Sequence, residues 1–204
     1  MDDKELDQYC QFIRVINSSI GEHFKNQEEF ICCREGCAMC CKNAQYPCSK
    51  KEFEFLKIGF MTLPRATQNI IVENVEKIKK DILKHKEGVF NYVCPFLIND
   101  RCSVYNFRMI ICRTFGLAYY DEKDENNENN TIKVPFCVHD GLNYSTVYDA
   151  KSNSLSTKKR EDLSFKNEPV AYNLDMKNLK EKFGKEIMNI DFGEEKALID
   201  WFLE

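Results

Sequence analysis

Six of the chain's eleven cysteines fall between positions 32 and 48, and no ordinary packed core explains that density. Thiolates are soft, anionic and strongly donating, which suits zinc and iron–sulfur centres. In Cys33-Arg34-Glu35-Gly36-Cys37-Ala38-Met39-Cys40-Cys41 the first three thiols converge only if the loop curls, and Gly36 supplies the freedom to do so. Cys40 and Cys41 are adjacent, so their side chains are expected to point in different directions. They would then serve two metals, or two irons of one cluster. An odd total of eleven excludes complete pairing as disulfides within the chain, and a reducing compartment disfavours such bonds.

A second group follows as Cys94, Cys102 and Cys112, with Cys137 later. The expected metal ligands are therefore Cys33, Cys37, Cys40, Cys41, Cys94, Cys102, Cys112 and Cys137. Eight thiolates fit two four-thiolate sites, or one cluster beside a mononuclear site. Cys32, Cys48 and His139 are weaker candidates, and Cys10 reads as a small buried hydrophobe. Arg34, Lys42, Arg101, Arg108 and Arg113 flank the cysteines. Cations there would stabilise a metal carrying several thiolates.

Composition is that of a globular chain of 204 residues, 43% hydrophobic and 30% charged. One domain, 1–204, is expected: a cysteine-bearing core over 30–150, an N-terminal helix over 1–29 and a C-terminal helical extension over 151–204. Net charge is −4, and residues 121–130 alone carry five acids and one lysine. The remainder is near neutral, so nucleic acid is not an expected partner. The amino terminus has neither a basic start nor an apolar stretch, and no run approaches the roughly 20 apolar residues of a membrane span. A cytoplasmic location with no membrane partner is the expectation.

Apolar residues at Leu6, Cys10, Ile13, Ile16, Ile20 and Phe24 predict an amphipathic helix over 4–30. Ser49 with Glu52 three residues on is a capping box, opening a helix that carries Phe53, Leu56 and Phe60 on one face. Pro64 suits the start of a longer helix with Ile71, Val75, Ile78 and Ile82, stopping near Gly88. Residues 94–105 predict a hairpin turning at Asn99-Asp100, which brings Cys94 and Cys102 together. A helical piece near 107–115 would present Cys112, and a strand over 132–136 would deliver Cys137. Residues 121–130 and 151–160 are expected to be irregular; 174–190 and 194–203 are expected to be helical. The expected fold class is α+β, mostly helical, with an irregular cysteine-rich metal-binding centre and a small β-hairpin.

At these residues the chain resembles the YkgJ-like cysteine-cluster proteins, described as zinc- or iron-chelating domains. The run C-x3-C-x2-C-C is met by Cys33, Cys37, Cys40 and Cys41. The pattern C-P-F-L … C-x-[IV]-Y-x2-R-P-x2-C-R-x-F is met by Cys94 to Leu97, Cys102, Val104, Tyr105, Arg108, Cys112, Arg113 and Phe115. Met109 stands where the pattern has proline. Pro135-Phe136-Cys137 is similar to the family's further cysteine. The resemblance covers about residues 30–150 and implies metal binding. One branch of the family is similar to flagellin lysine-N-methylase.

Three function classes follow. The first is a metal-binding protein holding an iron–sulfur cluster or zinc in a structural or redox role. The second is a metal-cluster-dependent enzyme of the flagellin lysine-N-methylase type, acting on a protein substrate. Cys33-x3-Cys37-x2-Cys40 also matches the spacing of radical S-adenosylmethionine enzymes. Against that, Met39 replaces the usual aromatic residue, Cys41 is able to close the open iron, and repeating strand–helix units are missing. The third is a zinc-stabilised interaction module, with Tyr144, Tyr148, Tyr172 and Trp201 available to a protein partner. Three histidines and the absence of H-E-x-x-H, G-x-S-x-G and a P-loop leave hydrolases and nucleotide enzymes poorly served.

Overall fold

The computed structural model describes residues 1–43, 45–121, 131–160 and 164–203. The fold is α+β and mostly helical. In chain order the elements are α1 (Asp3–Asn26), α2 (Met39–Lys42), β1 (Pro47–Ser49), α3 (Lys50–Met61), α4 (Arg65–Ile82), β2 (Leu97–Ile98), β3 (Arg101–Cys102), α5 (Ile110–Thr114), β4 (Tyr119–Asp121), β5 (Thr131–Lys133), β6 (Tyr148–Asp149), β7 (Ser154–Leu155) and β8 (Glu195–Ala197). Short 3₁₀ turns lie at Tyr105–Phe107, Phe136–Asp140, Thr157–Arg160 and Leu198–Phe202, and a π-helix at Asn178–Ile187. Contacts group the chain into two compact units. The first is Met1–Asp7, Glu35–Cys112 and Asp191–Glu204; the second is Gln8–Arg34 and Arg113–Ile190.

In the first unit the predicted capping box forms. The Ser49 N–H donates to Glu52 Oε2 at 2.9 Å, and the Glu52 N–H donates to Ser49 Oγ at 3.3 Å. α3 buries Phe55, Leu56 and Gly59, while Phe53 and Phe60 are half-buried against the same cluster. α4 starts after Pro64 and buries Ile71, Val75 and Ile78, as the apolar spacing predicts, but it ends at Ile82. Gly88, with φ +81°, serves a later turn instead of the helix stop. β2 and β3 pair as the predicted hairpin, Leu97 opposite Cys102. Asn99 and Asp100 both adopt positive φ, +51° and +57°, the geometry of a tight type I′ turn.

The expected helix over 194–203 is corrected to a strand followed by a 3₁₀ turn. β8 pairs antiparallel with β1, Cys48 opposite Lys196, and this pairing satisfies backbone groups that a short helix would leave open. Trp201 then donates its ring N–H to the Cys48 carbonyl at 2.8 Å and stacks on Phe53. Cys48 lies fully buried in the cluster of Leu56, Ile71, Phe96, Val104, Met109 and Leu198.

In the second unit α1 buries Tyr9, Phe12, Ile13, Ile16 and Ile20. The stripe centres on the aromatic pair, so Cys10 is only half-buried. β4 and β5 pair antiparallel, and β6 and β7 form a small hairpin whose Asn153 sits at φ +48°. The Asn153 side chain bonds both the N–H and the carbonyl of Ile132, at 2.7 and 3.0 Å. β7 and the turn at Thr157–Arg160 thus give regular structure to residues expected to be irregular. β5 ends at Lys133, because Pro135 opens the 3₁₀ turn that carries Cys137 in place of a strand. The helix expected over 174–190 is π-helical for most of its length. Each π hydrogen bond reaches one residue further than an α-helical one, so the 3.6-residue stripe no longer lines up. Ile187 is accordingly 71% exposed, while Lys180 and Gly184 are buried.

The loop expected at 121–130 falls on residues outside the described set beyond Asp121, which ends β4. Among the described residues no helix is long and apolar enough to cross a membrane.

Candidate metal centre

Of the eight predicted ligands, Cys37, Cys40, Cys41, Cys94, Cys102 and Cys112 belong to the first unit, and Cys33 and Cys137 to the second. Gly36 takes φ +85° as the chain turns toward α2, leaving Cys37 exposed and Cys40 and Cys41 half-buried. The two adjacent thiols do not diverge as expected. Their sulfurs lie 3.9 Å apart within the short α2. That separation is close to the edge, about 3.8 Å, of a tetrahedron built on metal–sulfur bonds of about 2.3 Å.

Three further segments carry cysteines of the same unit. The Cys94 N–H donates to the Cys41 carbonyl at 2.8 Å, fixing the start of the hairpin segment on α2. The turn of β2 and β3 returns Cys102, and α5 presents Cys112. Burial pushes the Cys94 thiol up to about 12, with the nearby Cys102 and Cys40 adding to the shift. Cys112 is raised well above the ordinary thiol range by burial, then by Cys94, Cys102 and Cys40. Cys40 is raised by its hydrogen bond with Cys41, then by burial and by the Cys41 charge. Cys94 and Cys112 thus both feel the charges of Cys40 and Cys102.

Among the described residues, no group of three His, Cys, Asp or Glu side chains is placed to hold a metal ion. The donor set nevertheless fits zinc or iron. Cys40, Cys94 and Cys112 resist ionising, and a cation beside them would remove that resistance.

Two residues that sequence reasoning did not single out complete the surroundings. Tyr46 donates its hydroxyl to the Cys40 carbonyl at 2.9 Å. Its phenol is pushed up by burial and by the charges of Cys40, Cys112, Cys41 and Cys94, which places it beside the thiols as a neutral donor. Glu52 accepts from the Ile110 N–H at 2.9 Å and so holds the first residue of α5, the helix of Cys112. The capping-box spacing revealed Glu52 only as a cap of α3; nothing in the sequence separates Tyr46 from a core tyrosine.

Four of the five flanking cations have partners other than a cysteine. Lys42 pairs with Asp100 at 2.8 Å and Arg101 with Glu35 at 3.1 Å, so two ion pairs join the α2 segment to the hairpin. Both pairs are exposed and contribute little to stability. Arg108 lies over the Tyr105 ring, and Arg113 donates to Asn17 Oδ1 at 2.9 Å.

In the second unit Cys137 is buried and His139 exposed, while Cys33 accepts a hydrogen bond from Asn143 at 3.0 Å. Tyr144 and Tyr148 pack in the cluster around Phe30, and Tyr172 stacks on His23.

A family model, CxxCxxCC, described as "Putative zinc- or iron-chelating domain", matches residues 32–138, just over half of the chain. The chain belongs to the CxxCxxCC family. Metal binding is therefore the general role of this CxxCxxCC chain, and all eight predicted ligands lie inside the matched region. No curated protein and no solved structure matches the chain.

Proposed function

We propose that this chain holds zinc or an iron–sulfur centre on Cys40, Cys94, Cys102 and Cys112, in a structural or redox role. The observation that carries the reading is the packing of Cys94, Cys102 and Cys112 against one buried cluster, with the Cys94 N–H bonded to the Cys41 carbonyl beside Cys40. Cys41 stands at the edge of the same set, 3.9 Å from Cys40. Bound there, the metal would supply a closed four-sulfur centre able to brace the fold or pass an electron. Four protein ligands leave no open position for a substrate, which favours these roles over Lewis-acid catalysis. The chain's own part is to hold Cys94, Cys102 and Cys112 against the buried cluster that includes Phe96 and Met109, and to release the thiol protons on loading.

The test is anaerobic purification followed by metal and acid-labile sulfide analysis and an absorption spectrum. Zinc in a colourless protein, or iron with sulfide and a broad visible band, supports the reading and selects the metal. Folded protein that takes up neither metal contradicts it.

A further inference from the structure

Between α3 and α4 the first unit holds a cavity of about 800 Å³, and every residue that lines it belongs to this unit. Small-molecule sites span about 300–1,000 Å³. Leu56, Ile71 and Val75 line it from the two helices, together with the rings of Phe53, Phe96 and Phe202. Phe202 meets Phe53 edge-on at 5.2 Å and Phe96 at 6.1 Å, so the rings brace one another. Met61 and Val72 also line the cavity, yet they are 71% and 50% exposed. Apolar surface left open to water around a cavity of this size marks a binding site. Only three lining side chains are polar: Glu54, Lys57 and Thr62. Glu54 is held by the Met1 amine at 3.2 Å, and the Thr62 hydroxyl donates to the Gly59 carbonyl at 2.7 Å. Lys57 lies over the Phe53 ring, 5.3 Å from Nζ to the centroid, and forms no ion pair with a carboxylate among the described residues. One uncompensated cation therefore stands beside an apolar interior.

We propose that this cavity binds a single-chain carboxylic acid of the fatty-acid type, its tail among the apolar side chains and its carboxylate at Lys57. The inference is independent of the metal-binding reading. Charge complementarity selects the head: the Lys57 ammonium attracts an anion, and the Met1 amine offsets the only nearby carboxylate. The lining selects the tail. A polar chain would lose its hydrogen bonds to water and find no partners inside, whereas each methylene that enters tightens binding by about fourfold.

The test uses the full chain as purified, with its single tryptophan, Trp201, as the reporter. Trp201 stacks on the lining residue Phe53 with 5.3 Å between centroids, so a brominated tail in the cavity quenches its fluorescence. Bromododecanoic acid, kept below its micelle concentration, is expected to quench saturably at one molecule per chain. Unlabelled acids should displace it, dodecanoic acid more tightly than decanoic acid by roughly 15-fold. This series needs no variant. Lys57→Met should weaken dodecanoic acid by roughly two- to fivefold and leave dodecanol unchanged. Val72→Asp places a charge at an exposed lining position and should weaken both. An absence of saturable quenching overturns the proposal, as does displacement that ignores chain length. So does Lys57→Met lowering dodecanol as much as the acid, or leaving both unchanged. Quenching seen only with vesicles of brominated phosphatidylcholine would give the surface to a bilayer. A wild-type dimer in sedimentation that Val72→Asp splits would give it to a second copy. Either result overturns the proposal.

Discussion

Glu52 is buried, and its two carboxylate oxygens serve two helices. Oε2 accepts from the N–H and the hydroxyl of Ser49, at 2.9 and 2.8 Å, and Oε1 from the Ile110 N–H at 2.9 Å. A buried carboxylate is tolerated only when such donors surround it. Glu52→Ala would strand the Ser49 and Ile110 N–H groups together, and a loss of about 2–4 kcal/mol is expected by chemical denaturation of the metal-free chain. A loss under about 0.5 kcal/mol would mean that the carboxylate is not a joint cap. The box with Ser49 was legible in the sequence because capping is a local matter of three residues. The bond to Ile110 was not, since it spans 58 positions and no spacing rule reaches that far. Tyr46 and Asn143 were hidden for the same reason: their partners are set by tertiary structure.

The elements that sequence reasoning placed well are those with strong local signals. The hairpin at Asn99-Asp100, the start of α3 at Ser49 and the stripe of α4 follow from turn chemistry, capping and periodicity. The elements it misplaced depend on distant pairing or unusual geometry. β8 exists because β1 offers it a partner, and the π-helix departs from the period on which the reading relies. The closeness of the Cys40 and Cys41 sulfurs, 3.9 Å apart in α2, was not legible either, because it depends on side-chain rotamers that adjacency in sequence does not set. One close approach between elements also escaped notice. A Cβ on Gly59 of α3 would lie 2.5 Å from Phe107 Cγ and 2.6 Å from its Cβ. Alanine would gain about 1 kcal/mol of helix propensity but cost about 1–3 kcal/mol in overpacking. Because the clash reaches the root of the phenylalanine, Gly59→Ala is expected to lower the melting temperature; a rise would show that the 3₁₀ turn at Tyr105–Phe107 yields easily.

At the scale of the whole molecule, the thiols link stability, protons and metal. Below the ordinary thiol value of about 9, folded and unfolded chains both keep the Cys94 proton, and this group adds no pH dependence. Between about 9 and 12 the unfolded chain has released that proton while the folded one still holds it. Stability of the metal-free chain therefore falls as pH rises, by about 1.4 kcal/mol per unit for this thiol. Cys112 shifts in the same direction and adds to the fall. Urea denaturation midpoints of the metal-free chain should drop across this alkaline window, and midpoints that hold steady would contradict the buried-thiol account. Metal binding runs the other way: loading releases the protons, so affinity should climb with pH toward the same window. The single measurement closest to the central claim is X-ray absorption at the edge of whichever metal the purified chain contains. Four sulfur neighbours near about 2.3 Å, one of them lost in Cys94→Ser and in Cys112→Ser, is the predicted result. A shell of nitrogen and oxygen, or a sulfur shell that neither substitution alters, would contradict it.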